Sequence, residues 1–255
     1  MKPHEYETMF VAEDRHWWYV GLRQEIARHL NRIQGQQPRT TGRIQWLDAG
    51  CGTGGLLAYE GRVRPDWHTV GLERAEAGIQ RARSRGLPSL VQGTVDGLPF
   101  RENLFHVITS IDVLYHTGID ELQALREMAR VLHPGGTVIL HLPAFEWLRS
   151  EHDAALSTRR RYTRQEVEEI VEAAGLVVKD SWYQNSLLFP LLAAVRLLKR
   201  PRAHSQDAVS DVMSLPRMLN ALLTQVLRLE SALCAHLIRL PFGLSVFCVA
   251  QRPAA

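Results

Sequence analysis

The residues best placed to do chemistry lie together in Leu47-Asp48-Ala49-Gly50-Cys51-Gly52-Thr53-Gly54-Gly55, where the apolar run Ile44 to Leu47 delivers an acid into a glycine-dense turn. Glycine permits positive φ there and lets a ligand lie against bare backbone. A helix beginning at Gly55 would aim its free N–H groups at the same spot. The loop therefore suits an extended, polar cofactor, and two compete for it. Gly50, Gly52 and Gly55 satisfy G-x-G-x-x-G, with Glu73 about twenty residues on at the end of a second strand, which is the dinucleotide pattern. Asp48 separates the two readings. Its charge just ahead of the first glycine sits badly beside a pyrophosphate and well beside the ammonium of a methionine moiety, which favours S-adenosylmethionine over NAD.

The segments that follow agree. Strand-like His68 to Leu72 ends in Glu73, placed to accept from ribose hydroxyls; Leu90 to Asp96 leads to Leu98-Pro99-Phe100; Leu104 to Asp112 reads as a buried strand. The order resembles that of the class I S-adenosylmethionine-dependent methyltransferases, particularly a bacterial small-molecule group. The resemblance rests on the L-D-x-G-C-G-x-G loop, the L-P-F turn, Asp112-Val113-Leu114-Tyr115-His116 and Pro134-Gly135-Gly136, and it covers roughly residues 42–183. It implies cofactor contacts at Asp48, Gly50, Gly52, Gly54, Glu73, Thr94, Val95, Ser110 and Asp112, with S-adenosylhomocysteine as product. One departure is Gly93-Thr94-Val95, where the family often has G-D-A. The carboxylate near the adenine amine is replaced by a hydroxyl, which still accepts a hydrogen bond, and the Val95 N–H still donates.

Methyl transfer needs an acceptor lone pair held near the sulfonium and screened from water, and a base only where the acceptor holds its proton tightly. Three clusters offer such groups. His116 leaves the fourth strand toward the crevice as a candidate base, with Tyr115 beside it. His152 with Asp153 offers a second base and its orienting carboxylate, next to Arg160, Arg161 and Tyr162, whose guanidinium forks suit a carboxylate or phosphate on the acceptor. The alternative there is a solvated loop whose arginines pair with Glu166 and Glu169. Trp17, Trp18 and Tyr19 form the third cluster, a lid that excludes water and stacks on the sulfonium or acceptor.

The elements that must position these groups follow from periodicity. Leu22, Ile26, Leu30 and Ile33 give an amino-terminal helix after the aromatic cluster, ended by Gln34 to Thr41. Leu122, Leu125, Ala129 and Leu132 give a helix stopped at His133-Pro134-Gly135-Gly136, and Thr137 to Leu142 forms the fifth strand. Thr163-Arg164-Gln165-Glu166 is a capping box for a helix that runs to Ala174, with Gly175 as its stop. Alternating strands and helices imply an α/β, Rossmann-like parallel sheet. The resemblance adds an antiparallel close, Leu176–Tyr183 with Leu244–Ala250, and the order 3-2-1-4-5-7-6. The chain divides into a helical lid (1–41), a cofactor-binding core (42–184), a leucine-rich helical insertion (185–241) and a closing strand with tail (242–255).

That insertion far exceeds ordinary hairpin loops. Leu187 to Leu198 precedes Lys199, Arg200 and Arg202, and apolar residues from Leu219 to Ile238 continue on helical spacing after a polar linker. Its runs are too short or interrupted to span a membrane, so it covers the sheet end, joins a dimer, or lies on a bilayer and holds a greasy substrate. The 255 residues, with hydrophobic content 45% and net charge +3, fit one elaborated domain, monomer or homodimer, with no nucleic-acid partner. Cys51, Cys234 and Cys248 lack metal-ligand spacing, and there is no apolar leader. The expectation is a cytoplasmic, metal-free enzyme, free or peripheral to the membrane, acting on a small acceptor, amphipathic or anionic. An inert S-adenosylmethionine-binding partner subunit and an NAD-linked oxidoreductase remain the rivals.

Overall fold

A computed structural model describes residues 3–36, 42–150, 153–154, 156–198, 215–236 and 239–254. Seven strands form one sheet: β1 (Gln45–Ala49), β2 (His68–Glu73), β3 (Leu90–Gln92), β4 (Phe105–Ile111), β5 (Leu132–Pro143), β6 (Val177–Gln184) and β7 (Ser245–Gln251). Their order is 3-2-1-4-5-7-6, as expected, with β7 antiparallel to both β5 and β6. The central strands are apolar on both faces because helices cover both. Trp46, Val107 and Ile139 belong to one buried cluster and their chain neighbours Leu47, Ile108 and Leu140 to the other, the two-residue alternation of a pleated strand.

Helices α3 (Gly55–Val63), α4 (Glu76–Ser84), α5 (Glu121–Val131) and α6 (Arg164–Ala173) are the crossovers. The capping box at Thr163 and Glu166 is made in both directions, and Gly175 takes φ +82 as the stop. One boundary differs from expectation. Helix α5 runs straight into β5, which begins at Leu132 rather than Thr137. The His133-Pro134-Gly135-Gly136 stretch becomes a bulge within the strand, where the register shifts between Phe105↔Leu132 and Val107↔Thr137. Gly135 at φ +78 and the neighbouring Gly136, where a Cβ would lie 2.8 Å from the His133 carbonyl, make that bulge possible.

The amino-terminal segment holds two helices where one was expected, α1 (Pro3–Ala12) and α2 (Trp17–Gln36), and the Trp17-Trp18-Tyr19 cluster forms the first turn of α2. The insertion folds as α7 (Phe189–Leu198) and α8 (Arg217–His236). It docks on α2, whose Gly21 leaves room for Leu227; a Cβ there would meet Leu227 Cδ1 at 2.4 Å. Asn220 of α8 accepts from the Trp17 N–H at 2.9 Å, and Glu230 accepts from the N–H groups of Ser186 and Leu187 ahead of α7. Among the described residues, no helix is long and apolar enough to cross a membrane.

Candidate functional site

The carboxyl ends of β1, β2 and β4 open into one chamber of about 1500 Å³, which reaches from the glycine loop to the insertion. A pocket for one small molecule commonly measures ~300–1,000 Å³, so this chamber has room for two. Gly50 and Gly52 line it with φ of +91 and +55. A Cβ on Gly50 would press on Val113 at 2.4 Å, and one on Gly52 on Met9 at 2.6 Å. Gly54, also left-handed, faces away. A Cβ there would strike Leu87 of the adjoining loop and Ala82 of α4, so this glycine serves helix packing.

Asp48 is buried at the end of β1. Its Oδ1 accepts from the Thr109 hydroxyl at 2.6 Å, which itself accepts from the Trp46 indole N–H at 3.0 Å. No ion pair to this carboxyl exists among the described residues, and burial pushes its pKa up to about 7. Such a group gains from a cation placed in the chamber. Glu73 ends β2 and shapes the loop: its Oε2 accepts from the Gly52 N–H at 3.0 Å, and its Oε1 accepts from the Ala75 N–H at 2.8 Å and the Tyr6 hydroxyl at 3.1 Å. Thr94, Val95 and Asp96 continue the same wall.

Tyr6 belongs to α1, which roofs the loop. Met9 lies over Gly52, and Glu13, with its pKa raised to about 7 by burial, pairs with Arg85 at 2.9 Å. Tyr6, Met9, Phe10 and Glu13 carry no motif, and the spacing of one helix face is the only signal in the sequence that marks them.

The far side of the glycine loop is set by Asp112, which follows β4 with φ +58, a strained value for a residue with a side chain. Its carboxylate lines the chamber and is backed by His141, whose Nδ1 lies 2.9 Å from Asp112 Oδ1. His141 is fully buried in β5, directly across from Ile111, and its ring meets Trp18 edge-on at 5.7 Å. Nothing in the local sequence marks His141, because its partner is fixed by the register of two strands. His116 also lines the chamber. Its Nδ1 must donate to the Leu156 carbonyl at 2.8 Å, which leaves Nε2 as an acceptor, and burial lowers its pKa. Tyr115, Tyr19, Trp18 and Trp17 complete this wall.

The second cluster is arranged differently from expectation. His152 lies outside the described residues. Asp153 and Arg161 border the chamber but hold each other in a buried two-point ion pair at 2.8 and 3.1 Å, and Ser150 N–H also binds Asp153. Such a pair is a staple for the loop, since each charge is already neutralised. Arg160 stacks over Tyr162 at 4.4 Å and pairs with Glu121, while the Tyr162 ring is fully buried, so both stand outside the chamber. Ser110 is buried in β4, outside the lining. Leu192, Val195, Leu215, Leu219 and Leu223 form the opposite wall. The insertion is thus the apolar cover of the same chamber.

Residues 47–140 match the family model described as a methyltransferase domain. The mouse protein named "Probable tRNA methyltransferase 9B" is 35% identical over 122 residues, 47% of this chain and 24% of that protein. The chain thus spans about a quarter of that relative's length. A Galdieria sulphuraria protein provisionally assigned as a sarcosine dimethylglycine methyltransferase superposes with a TM-score of 0.60 at 18% identity, covering 91% of this chain and 85% of that one. The S-adenosylmethionine complex of Haemonchus contortus phosphoethanolamine N-methyltransferase 2 gives 0.55 at 20% identity, over 90% and 52% of the two chains. At these identities the structural likeness is one of fold.

Proposed function

We propose that this chain, whose residues 47–140 match a methyltransferase-domain model, is a class I S-adenosylmethionine-dependent methyltransferase that methylates an oxygen or nitrogen of a small acceptor with a large apolar body. The observation that carries this reading is the two-ended chamber: acidic and glycine-lined at the strand ends, leucine-lined under the insertion. When bound, the cofactor supplies an electrophilic methyl on a sulfonium. The residues present fit it. Asp48, a buried carboxyl with no ion pair among the described residues, would hold the ammonium; Glu73 beside Tyr6 would accept from ribose hydroxyls; Gly50 and Gly52 leave bare backbone; Thr94 and the Val95 N–H would serve the adenine.

On the acceptor side, Asp112 takes the proton of a hydroxyl or ammonium acceptor, and His141 fixes the carboxylate's orientation from behind. His116, neutral because burial lowers its pKa, offers Nε2 as a hydrogen-bond acceptor to the same molecule. Trp17, Trp18 and Tyr19 exclude water from the transfer. Arg161 is already neutralised by Asp153, which favours an acceptor without an acidic group at that loop.

RNA is the rival acceptor, since a relative carries a tRNA methyltransferase name. The leucine wall favours the small acceptor, because RNA modules present basic surfaces and aromatic platforms for phosphates and bases. Incubating the protein with methyl-labelled S-adenosylmethionine, and in parallel a solvent-extracted metabolite fraction or bulk tRNA, decides between them. Label is expected in the extracted fraction and lost with Asp112→Asn. Label in tRNA alone overturns the small-acceptor reading.

A further inference from the structure

We propose that the outer faces of α7 and α8 seat the protein on an anionic lipid surface, so that the apolar acceptor enters the chamber from the bilayer. This rests on the small-acceptor reading and extends it to the acceptor's source. Each helix has two apolar faces. Leu188, just ahead of α7, and Leu192 within it pack with Leu223 and Leu227 of α8 and with Trp17. On the outer side Leu191, Met218 and Leu222 are 64%, 88% and 61% exposed. Between the two sets, Val195 and Leu219 both line the chamber and reach solvent, at 36% and 42% exposure. Apolar side chains are therefore exposed both on the outer side of the two helices and where Val195 and Leu219 line the acceptor end of the chamber.

An exposed apolar patch of this kind marks an interaction site, and three observations select lipid. The 185–241 stretch has seven lysines and arginines against Asp207, Asp211 and Glu230, and Glu230 is buried. A segment of that net charge is attracted to anionic headgroups and is repelled by a second copy. A second copy would also stopper the mouth that Val195 and Leu219 line. Finally, α8 is a 20-residue amphipathic helix that cannot span a membrane, the form suited to lying in the interface.

The test is co-sedimentation of the full chain with vesicles of phosphatidylcholine alone or mixed equally with phosphatidylglycerol. Binding is expected to the mixed vesicles, weaker to neutral ones, and reduced by salt. The double variant Leu191→Glu, Leu222→Glu touches neither chamber wall and should lose at least tenfold in vesicle partition, with S-adenosylmethionine titration unchanged as the control for folding. Protein that stays in the supernatant with both vesicles overturns the inference, as does a double variant that sediments like the parent. A dimer in sedimentation analysis that the double variant dissolves overturns it in favour of a second copy. Retained cofactor binding without vesicle binding sinks this inference and leaves the methyl-transfer proposal standing; loss of cofactor binding in the parent sinks the latter.

Discussion

At the scale of single residues the site turns on three carboxylates with different tasks. Glu73 holds the loop through the Gly52 N–H and is proposed to accept from the ribose hydroxyls. Glu73→Ala is expected to weaken S-adenosylmethionine by ~1.5–3 kcal/mol, the range for hydrogen bonds to a charged group; calorimetric titration checks it. Asp48, with its pKa near 7, must be ionised to pair with an ammonium. Affinity is therefore expected to climb as pH rises from about 6 to about 8, with proton release on binding. Glu13 titrates in the same range, so Asp48→Asn, which should flatten the profile, assigns the effect. Asp112, which the family resemblance places among the cofactor contacts, is assigned with His141 to the acceptor side in the proposed reaction: His141→Ala should then lower kcat while leaving cofactor affinity intact, and a matching loss of affinity would return the pair to the cofactor site. The placement of Asp48 and Glu73 beside the glycine loop was legible in the sequence because it is local, an acid against a glycine turn and an acid at a strand end. His141 was not, because it acquires its partner only when β5 lies beside β4.

At the scale of elements, the chamber depends on how closely α2 and α8 approach. Gly21→Val should force Leu227 out of its contact and destabilise by ~1–3 kcal/mol, the usual range for overpacking; a melting temperature unchanged from the parent would mean that the helices slide apart freely. The parallel core and the α6 capping box could be read from periodicity and nearby residues, whereas the sheet order came only with the family resemblance that the motifs carry. Two features could not. The bulge at Gly135 and Gly136 looked like a loop because Pro-Gly-Gly commonly ends elements, and only pairing with β4 and Arg252 keeps it in the strand. The insertion's leucines announced buried helices, but whether they covered a sheet end, a partner or a cavity depended on Gly21 and Asn220, whose contacts lie about two hundred residues apart in the chain.

At the scale of the whole molecule, a cofactor site with an unpaired buried carboxyl costs stability before any ligand arrives. The folded pKa of Asp48 stands above its ordinary value, so the native state holds the proton more tightly than the unfolded chain, and stability falls as pH rises from about 4 through about 7. Asp48→Asn should therefore raise the melting temperature at pH 8, with the gain shrinking toward pH 5. Comparing the variant with the parent cancels His16, His106 and His116, whose lowered pKa values act in the opposite sense. That variant also serves the most direct test of the central claim, that this chamber holds S-adenosylmethionine with its ammonium against Asp48. In calorimetric titrations at pH 8, the parent is expected to bind one S-adenosylmethionine per chain and to ignore NADH, while the more stable Asp48→Asn protein binds at least tenfold more weakly. Equal affinity in the two proteins, or a parent that takes NADH in preference, would contradict the account.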